Sequence, residues 1–266
     1  MFDTHAHVHD AVFDPDRDDM LLRARLAGID RIVTIGTDLV DSERARAVAL
    51  AHAVEYTIGI HPHEAANAPK DVFAQLERIA SGANAGPVAI GEMGLDLYYA
   101  HSPLEAQMHV LREQLYFAQE RDLPAVFHVR DAFDEFIALL RTYATPIRGI
   151  VHCFTGDAAQ AATYVEEFGF KLGIGGVLTF KTAQNVRDAV AAVGLSHLVL
   201  ETDCPYLAPV PHRGRRNEPA FMVHTAKRLA EILETTVETV ERDTAANALA
   251  LFGERGVVAE AGRLET

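Results

Sequence analysis

The stretch Met1-Phe-Asp-Thr-His-Ala-His-Val-His-Asp10 sets the reading of the whole chain. It has the pattern of a short strand that ends in ligand-type side chains. Alternation along a strand puts Asp3, His5 and His7 on one face and Thr4, Ala6 and Val8 on the other. Two imidazoles so spaced can grip one metal ion from one side, but such centres take about three or four protein ligands. A lone His-x-His pair is equally an ordinary polar stretch near a terminus, since short motifs are weak by themselves. Its meaning depends on partner residues elsewhere.

From that strand onward, buried-type apolar runs alternate with amphipathic stretches. Further strands are predicted at 31–36, 55–60, 87–91, 125–129, 149–152, 170–174 and 197–201. Helices are predicted at 18–28, 41–54, 71–79, 103–121, 131–143, 157–168 and 182–193, then at 219–234 and 237–252. Strand–helix alternation points to a parallel sheet. Eight repeats over ~250 residues point to an α/β fold closed as a (β/α)8 TIM barrel. A doubly wound open sheet is the runner-up, and no glycine-rich phosphate loop after the first strand supports it. One domain is expected over 1–266, with 253–266 as a frayed tail.

Bulk properties narrow the function. Hydrophobic residues make up 49%, enough for a sizeable core. No apolar run approaches the roughly 20 residues of a membrane span, and no basic-plus-apolar leader is present. Cys153 and Cys204 are the only cysteines, too few for a disulfide framework, so the cytoplasm is the expected compartment. A net charge of −14 argues against a module that grips DNA through a basic face. It does not argue against an enzyme whose bound cations invert the local field. No feature marks a protein partner.

In a barrel, function gathers where strands end. His5 and His7 end the first predicted strand, His61 and His63 the third, Glu92 the fourth, His128 the fifth, His152 the sixth and Asp203 the eighth. Alternation gives His128 the face of Val126, His152 that of Ile150, and Glu92 that of Val88 and Ile90. Thirteen histidines placed at random would not choose strand ends so consistently. His52, His101, His109, His197 and His224 fall elsewhere and read as surface or structural; His9 and His212 stay open. Imidazoles and carboxylates suit zinc, manganese and related ions. More such groups are present than one ion needs, so two ions bridged by a carboxylate are expected. Glu92 is the natural bridge, between the groups of the first strand and those of the fifth and sixth. Such a centre activates water near neutral pH, which is hydrolytic chemistry.

Assembled in order, the motifs resemble the TatD family of metal-dependent deoxyribonucleases, in the amidohydrolase-type barrel superfamily. The resemblance rests on Asp3-Thr-His-Ala-His7, Gly59-Ile-His-Pro-His63, Gly91-Glu-Met-Gly-Leu-Asp96 and His128-Val-Arg-Asp-Ala132. It continues in Val151-His-Cys-Phe-Thr-Gly156, Gly175-Gly-Val-Leu-Thr-Phe180, Glu201-Thr-Asp-Cys-Pro-Tyr-Leu207 and Arg213-Gly-Arg-Arg-Asn-Glu-Pro219. Where His9 stands the family commonly has an acid. The resemblance implies one ion on His5, His7, Glu92 and Asp203, and a second on Glu92, His128 and His152. It places His61 and His63 beside the substrate phosphate and lets Asp203 take the proton of the attacking water. Glu92 and Asp203 are thereby the catalytic carboxylates. It implies Mg²⁺, Mn²⁺ or Zn²⁺, and single-stranded DNA or 3′ ends as substrate for a 3′–5′ exonuclease.

Other residues carry two readings each. Arg130 shares the inward face of His128 and could hold a phosphate oxygen or a neighbouring carboxylate. Arg213, in the basic cluster 212–218, offers phosphate attraction or a loop clamp, with Asn217 and Glu218 capping the next helix. Glu201 reads as orienting a histidine or as a structural ion pair, and Asp96 as capping or ordering a turn. Tyr98, Tyr99, Phe154 and Tyr206 are candidate base-stacking surfaces. Amidase, lactonase, phosphotriesterase or aminoacyl-tRNA deacylase chemistry competes on the same barrel. Relatives of that sort often bridge their ions with a carboxylated lysine, so Glu92 favours the nuclease branch. An inactive binding protein would have lost ligands, and here the set is complete.

Overall fold

Parallel strands that are apolar on both faces must be covered on both, and this chain achieves that by closing the sheet on itself. The computed structural model describes residues 1–81 and 86–253. Its strands are β1 (Phe2–Ala6), β2 (Arg31–Thr34), β3 (Glu55–Ile58), β4 (Ala89–Asp96), β5 (Ala125–Arg130), β6 (Gly149–Val151), β7 (Lys171–Ile174) and β8 (Leu198–Leu200). Each pairs in parallel with the next. The ring closes just past β8, where the Asp203 N–H donates to the His5 carbonyl and the His7 N–H to the Cys204 carbonyl, both at 2.8 Å. The fold is a (β/α)8 TIM barrel.

Helices α1 (Arg17–Leu26), α2 (Leu39–His52), α3 (Val72–Ser81), α4 (Leu104–Glu120), α5 (Phe133–Leu140), α6 (Ala158–Ala162), α7 (Gln184–Val193), α8 (Met222–Ile232) and α9 (Val237–Phe252) belong to the same chain order. The expected helix 157–168 divides into α6, begun by an Asp157–Gln160 capping box, and a π-helical turn over Thr163–Glu167. Of the predicted tail, 254–266 lie outside the described residues. No helix among the described residues is long and apolar enough to cross a membrane.

Two apolar layers result. The outer one packs Ile58, Phe127 and Leu172 of the strands against Leu76, Phe117 and Phe136 of the helices. The inner one fills the barrel with Phe2, Val33, Val126, Ile150 and Val199, and α9 closes its lower end with Ala248 and Phe252. The Phe2 and Phe252 rings meet at 5.8 Å.

Simple alternation fails at two places, both beneath the site. It would set Phe2 and His5 on opposite faces, but the register of β1 against β2 shifts between Asp3 and Ala6, and this bulge turns both inward. On β4, Ile90 packs in the outer layer and Ala89 in the inner one, contrary to the predicted face shared by Ile90 and Glu92. A register shift between Ile90 and Met93 returns Glu92 to the interior. Glycine is required here. Gly91 and Gly94 have φ of 143° and 150°, and a Cβ on Gly94 would stand 1.9 Å from the His128 carbonyl oxygen.

Truncating the plug, Phe252→Ala, is expected to cost about 3 kcal/mol in urea unfolding. A loss below about 1 kcal/mol, within the range of an ordinary surface change, would show that α9 does not seal the barrel.

Candidate metal centre

Glu92 stands at the middle of the upper rim. His128 Nδ1 lies 2.8 Å and His152 Nε2 2.9 Å from its Oε1, with His61 Nε2 at 3.3 Å. His5 Nε2 lies 3.4 Å from its Oε2. Asp203, from the turn after β8, faces His7 Nε2 at 3.4 Å and His5 Nε2 at 3.7 Å. The rings of His5 and His152 stack at 3.8 Å and 12°. The strand-end residues selected from the sequence therefore share one cluster.

Fixed neighbours sort the histidines by which nitrogen holds the proton. His7 Nδ1 donates to the Ile35 carbonyl at 3.1 Å, leaving the Nε2 lone pair toward Asp203. His128 Nε2 donates to Asp96 at 3.1 Å, leaving Nδ1 toward Glu92 and 3.3 Å from His152 Nε2. His61 differs: its Nδ1 accepts the His63 N–H at 3.1 Å, so the neutral ring carries its proton on Nε2.

Asp96 is the residue that sequence reasoning undervalued. It orders its loop, as expected, by accepting the Tyr99 N–H at 2.8 Å. It also ends β4 rather than lying in a turn, is fully buried, and accepts from His63 Nε2 at 2.8 Å as well as from His128. The signal was its spacing of four from Glu92, which a bulged strand keeps near the same wall. Asp3 faces Thr202, whose hydroxyl and N–H it accepts at 2.6 and 2.9 Å, and so latches β1 to β8. Burial pushes its carboxyl up to about 8 against those two hydrogen bonds.

Burial would raise Glu92, yet the His152, His61 and His128 imidazoles hold it well below the usual carboxylate range. Asp203 is likewise lowered against burial by His7, His5 and His152. Burial opposes charge on His128 and His152, but Asp96 and Glu92 raise the first, and Glu92 and Glu201 raise the second well above its ordinary value. Burial and His152 lower His5. Burial also pushes up both Cys153 and Cys204, so neither thiol is poised as a nucleophile.

These donors fit a divalent cation. The lone pairs of His7 Nε2 and His128 Nδ1 face carboxylate oxygens, which is attractive only with a proton or cation between them. Both ring nitrogens of His5, Nδ1 of His152 and Oε2 of Glu201 are buried without a hydrogen-bond partner. Three sets, His5–His7–Glu92, His61–Glu92–His128 and His5–His152–Glu201, bring ligand atoms within 4.8 Å of one another.

The centre lies where two cavities meet. One of about 460 Å³ includes His7, His61, His63, Tyr99 and Tyr206; the other, about 800 Å³, includes Arg130, Tyr98 and Phe154. His128, His152 and Asp203 line both. The Arg130 guanidinium lies 4.1 Å over Tyr98 and 4.7 Å over Tyr99, and no carboxylate pairs with it among the described contacts. Arg213 lies 3.8 Å over Phe180, whereas Arg216 clamps Asp16 at 2.7 Å. Asn217 holds the Thr202 and Tyr206 carbonyls and Glu218 pairs with Arg23, so neither side chain caps the following helix. His9 is fixed between Thr34 and Asp41, and His212 stacks on Phe221 at 3.8 Å. His101, expected to be a surface or structural histidine, is exposed and packs against His63 at 4.6 Å.

Mn²⁺ or Zn²⁺ at ~100 times its dissociation constant is expected to raise unfolding free energy by about 2.7 kcal/mol, reversibly with chelator. An unchanged unfolding midpoint across the titration would contradict a cation site.

The family model described as TatD related DNase matches residues 2–253. The Bacillus subtilis protein YabD, an uncharacterized metal-dependent hydrolase, is 37% identical over 254 residues, covering 95% of this chain and 98% of that one. The 3′–5′ ssDNA/RNA exonuclease TatD of Cronobacter sakazakii is 38% identical over 260 residues, covering 95% and 97%. The crystal structure of YJJV, a TatD homologue from Escherichia coli, superposes with a TM-score of 0.87 at 31% identity, covering 95% and 97%. Matched along nearly its whole length in both sequence and structure, the chain belongs to the TatD family of metal-dependent hydrolases.

Proposed function

We propose that this enzyme hydrolyses phosphodiester bonds of single-stranded DNA from the 3′ end, using two divalent cations (Mg²⁺, Mn²⁺ or Zn²⁺). The observation that carries the reading is the approach of His61, His128 and His152 to one oxygen of a buried glutamate. The relatives named as 3′–5′ ssDNA/RNA exonucleases support the choice of substrate. His5, His7, Glu92 and Asp203 would hold one ion, and Glu92, His128 and His152 the other. Cations held there would supply a water nucleophile near neutral pH and positive charge for the developing phosphoryl charge.

The protein's own groups do the rest. Asp203 is ionised and accepts the proton of the attacking water at its carboxylate. His61 donates from Nε2 to a phosphoryl oxygen, because its Nδ1 is already an acceptor. His63 lies at 82° to His61 with ring centroids 4.3 Å apart, and flanks the same phosphate. Asp96 holds His63 and His128 together, so ligand side and phosphate side keep one geometry. Arg130, backed by two tyrosine faces, offers its N–H groups to a phosphate further along the strand, and Arg213 does so from the loop after β8. Local positive charge thus answers a net charge of −14.

The test uses single-stranded DNA labelled separately at its 5′ and 3′ ends, with Mg²⁺ or Mn²⁺ and a chelator control. Cation-dependent shortening from the 3′ end is expected, with Asp203→Asn slower by about 10²–10⁴-fold. No cleavage by protein shown to be metal-loaded would contradict DNA as substrate.

A further inference from the structure

Glu201 has no part in the mechanism above, although it lies wholly inside the protein at the end of β8. Its Oε1 accepts the Cys153 N–H at 2.6 Å and stands 3.8 Å from His152 Nδ1. Its Oε2 has no hydrogen-bond partner, and neither has His152 Nδ1 nor either ring nitrogen of His5. Strand β7 leaves room for this carboxylate. A Cβ on Gly173 would stand 2.1 Å from Glu201 Oε2, and Gly175 borders the same side chain.

An ionisable carboxylate placed inside a protein costs several kcal/mol unless charge and hydrogen bonds meet it. One backbone N–H meets half of this one. A structural ion pair would set a lysine or arginine against it, and among the described contacts none is there. Only the two stacked imidazoles approach, and both also reach toward Glu92.

We infer that Glu201 is a positioning residue for the metal centre. It draws the Nδ1–H of His152 to itself, so that the Nε2 lone pair of that ring is presented at Glu92, and its charge offsets the cations above. This inference rests on the divalent-cation reading of the site. Carboxylates behind metal-bound imidazoles fix the tautomer, and removing one weakens metal binding about 10–100-fold.

The experiment titrates Mn²⁺ into metal-free protein by calorimetry and records the thermal midpoint of the metal-free forms. Glu201→Gln keeps an oxygen for the Cys153 N–H and removes the charge. The expected result is Mn²⁺ affinity about 10–100-fold weaker, with a metal-free midpoint equal to or above wild type because a buried charge has gone. A purely structural glutamate gives the reverse, a lower metal-free midpoint with unchanged affinity, and that would overturn the inference. Gly173→Ala crowds the carboxylate while keeping its charge; it too should weaken Mn²⁺, and it decides the matter if Glu201→Gln fails to fold. Wild type that binds no Mn²⁺ would instead overturn the metal reading itself.

Discussion

An ionised carboxylate can remain inside a protein only if positive charge and hydrogen bonds surround it, and Glu92 is only 4% exposed. His61, His128 and His152, all within 3.3 Å of one of its oxygens, meet this demand, and His5, whose own charge burial disfavours, lies 3.4 Å from the other. They come from the ends of β1, β3, β5 and β6, far apart in sequence. A ring of parallel strands with one common C-terminal rim is the arrangement that brings such residues together. His5, His128 and His152 are also donors of the kind a divalent cation takes, so one constraint accounts for the fold's polarity and for the character of the site.

The two ends of the barrel divide the work. The lower end is held by contacts with no catalytic use: the tilted Phe2–Phe252 ring contact, Arg31 4.4 Å over Phe2, and the Arg31–Glu55 pair. The upper end concentrates carboxylates and imidazoles whose mutual charges are balanced only as a set. Between them the bulges of β1 and β4 convert a regular strand into a platform that faces His5 and Glu92 inward. Gly91 and Gly94 are the cost of that conversion in side-chain freedom, since only glycine lets β4 press so closely on β5.

Strand ends were legible in the sequence because ligand-type residues fell at regular points in a β/α alternation, and this was enough to gather His5, His7, Glu92, His128, His152 and Asp203. Alternation alone does not face Glu92 inward; a bulge in β4 does. Bulges leave little sequence trace beyond a glycine, so the length of β4 and the burial of Asp96 were missed together. Proton positions were also beyond the sequence. That His61 carries its proton on Nε2 follows from the His63 backbone N–H, a contact set by the short helix Pro62–Asn67. Likewise the sequence leaves Arg130 two readings, and the structure adds that its guanidinium lies over Tyr98 and Tyr99 with no carboxylate paired to it among the described residues.

Two cations at the Glu92 cluster are a proposal that anomalous diffraction from crystals grown with Mn²⁺ can decide. Two peaks are expected flanking the Glu92 carboxylate, each at about 2.0–2.2 Å from nitrogen or oxygen ligands: one among His5, His7 and Asp203, the other against His128 and His152. Peaks elsewhere, or none at that carboxylate in protein saturated with Mn²⁺, would contradict it.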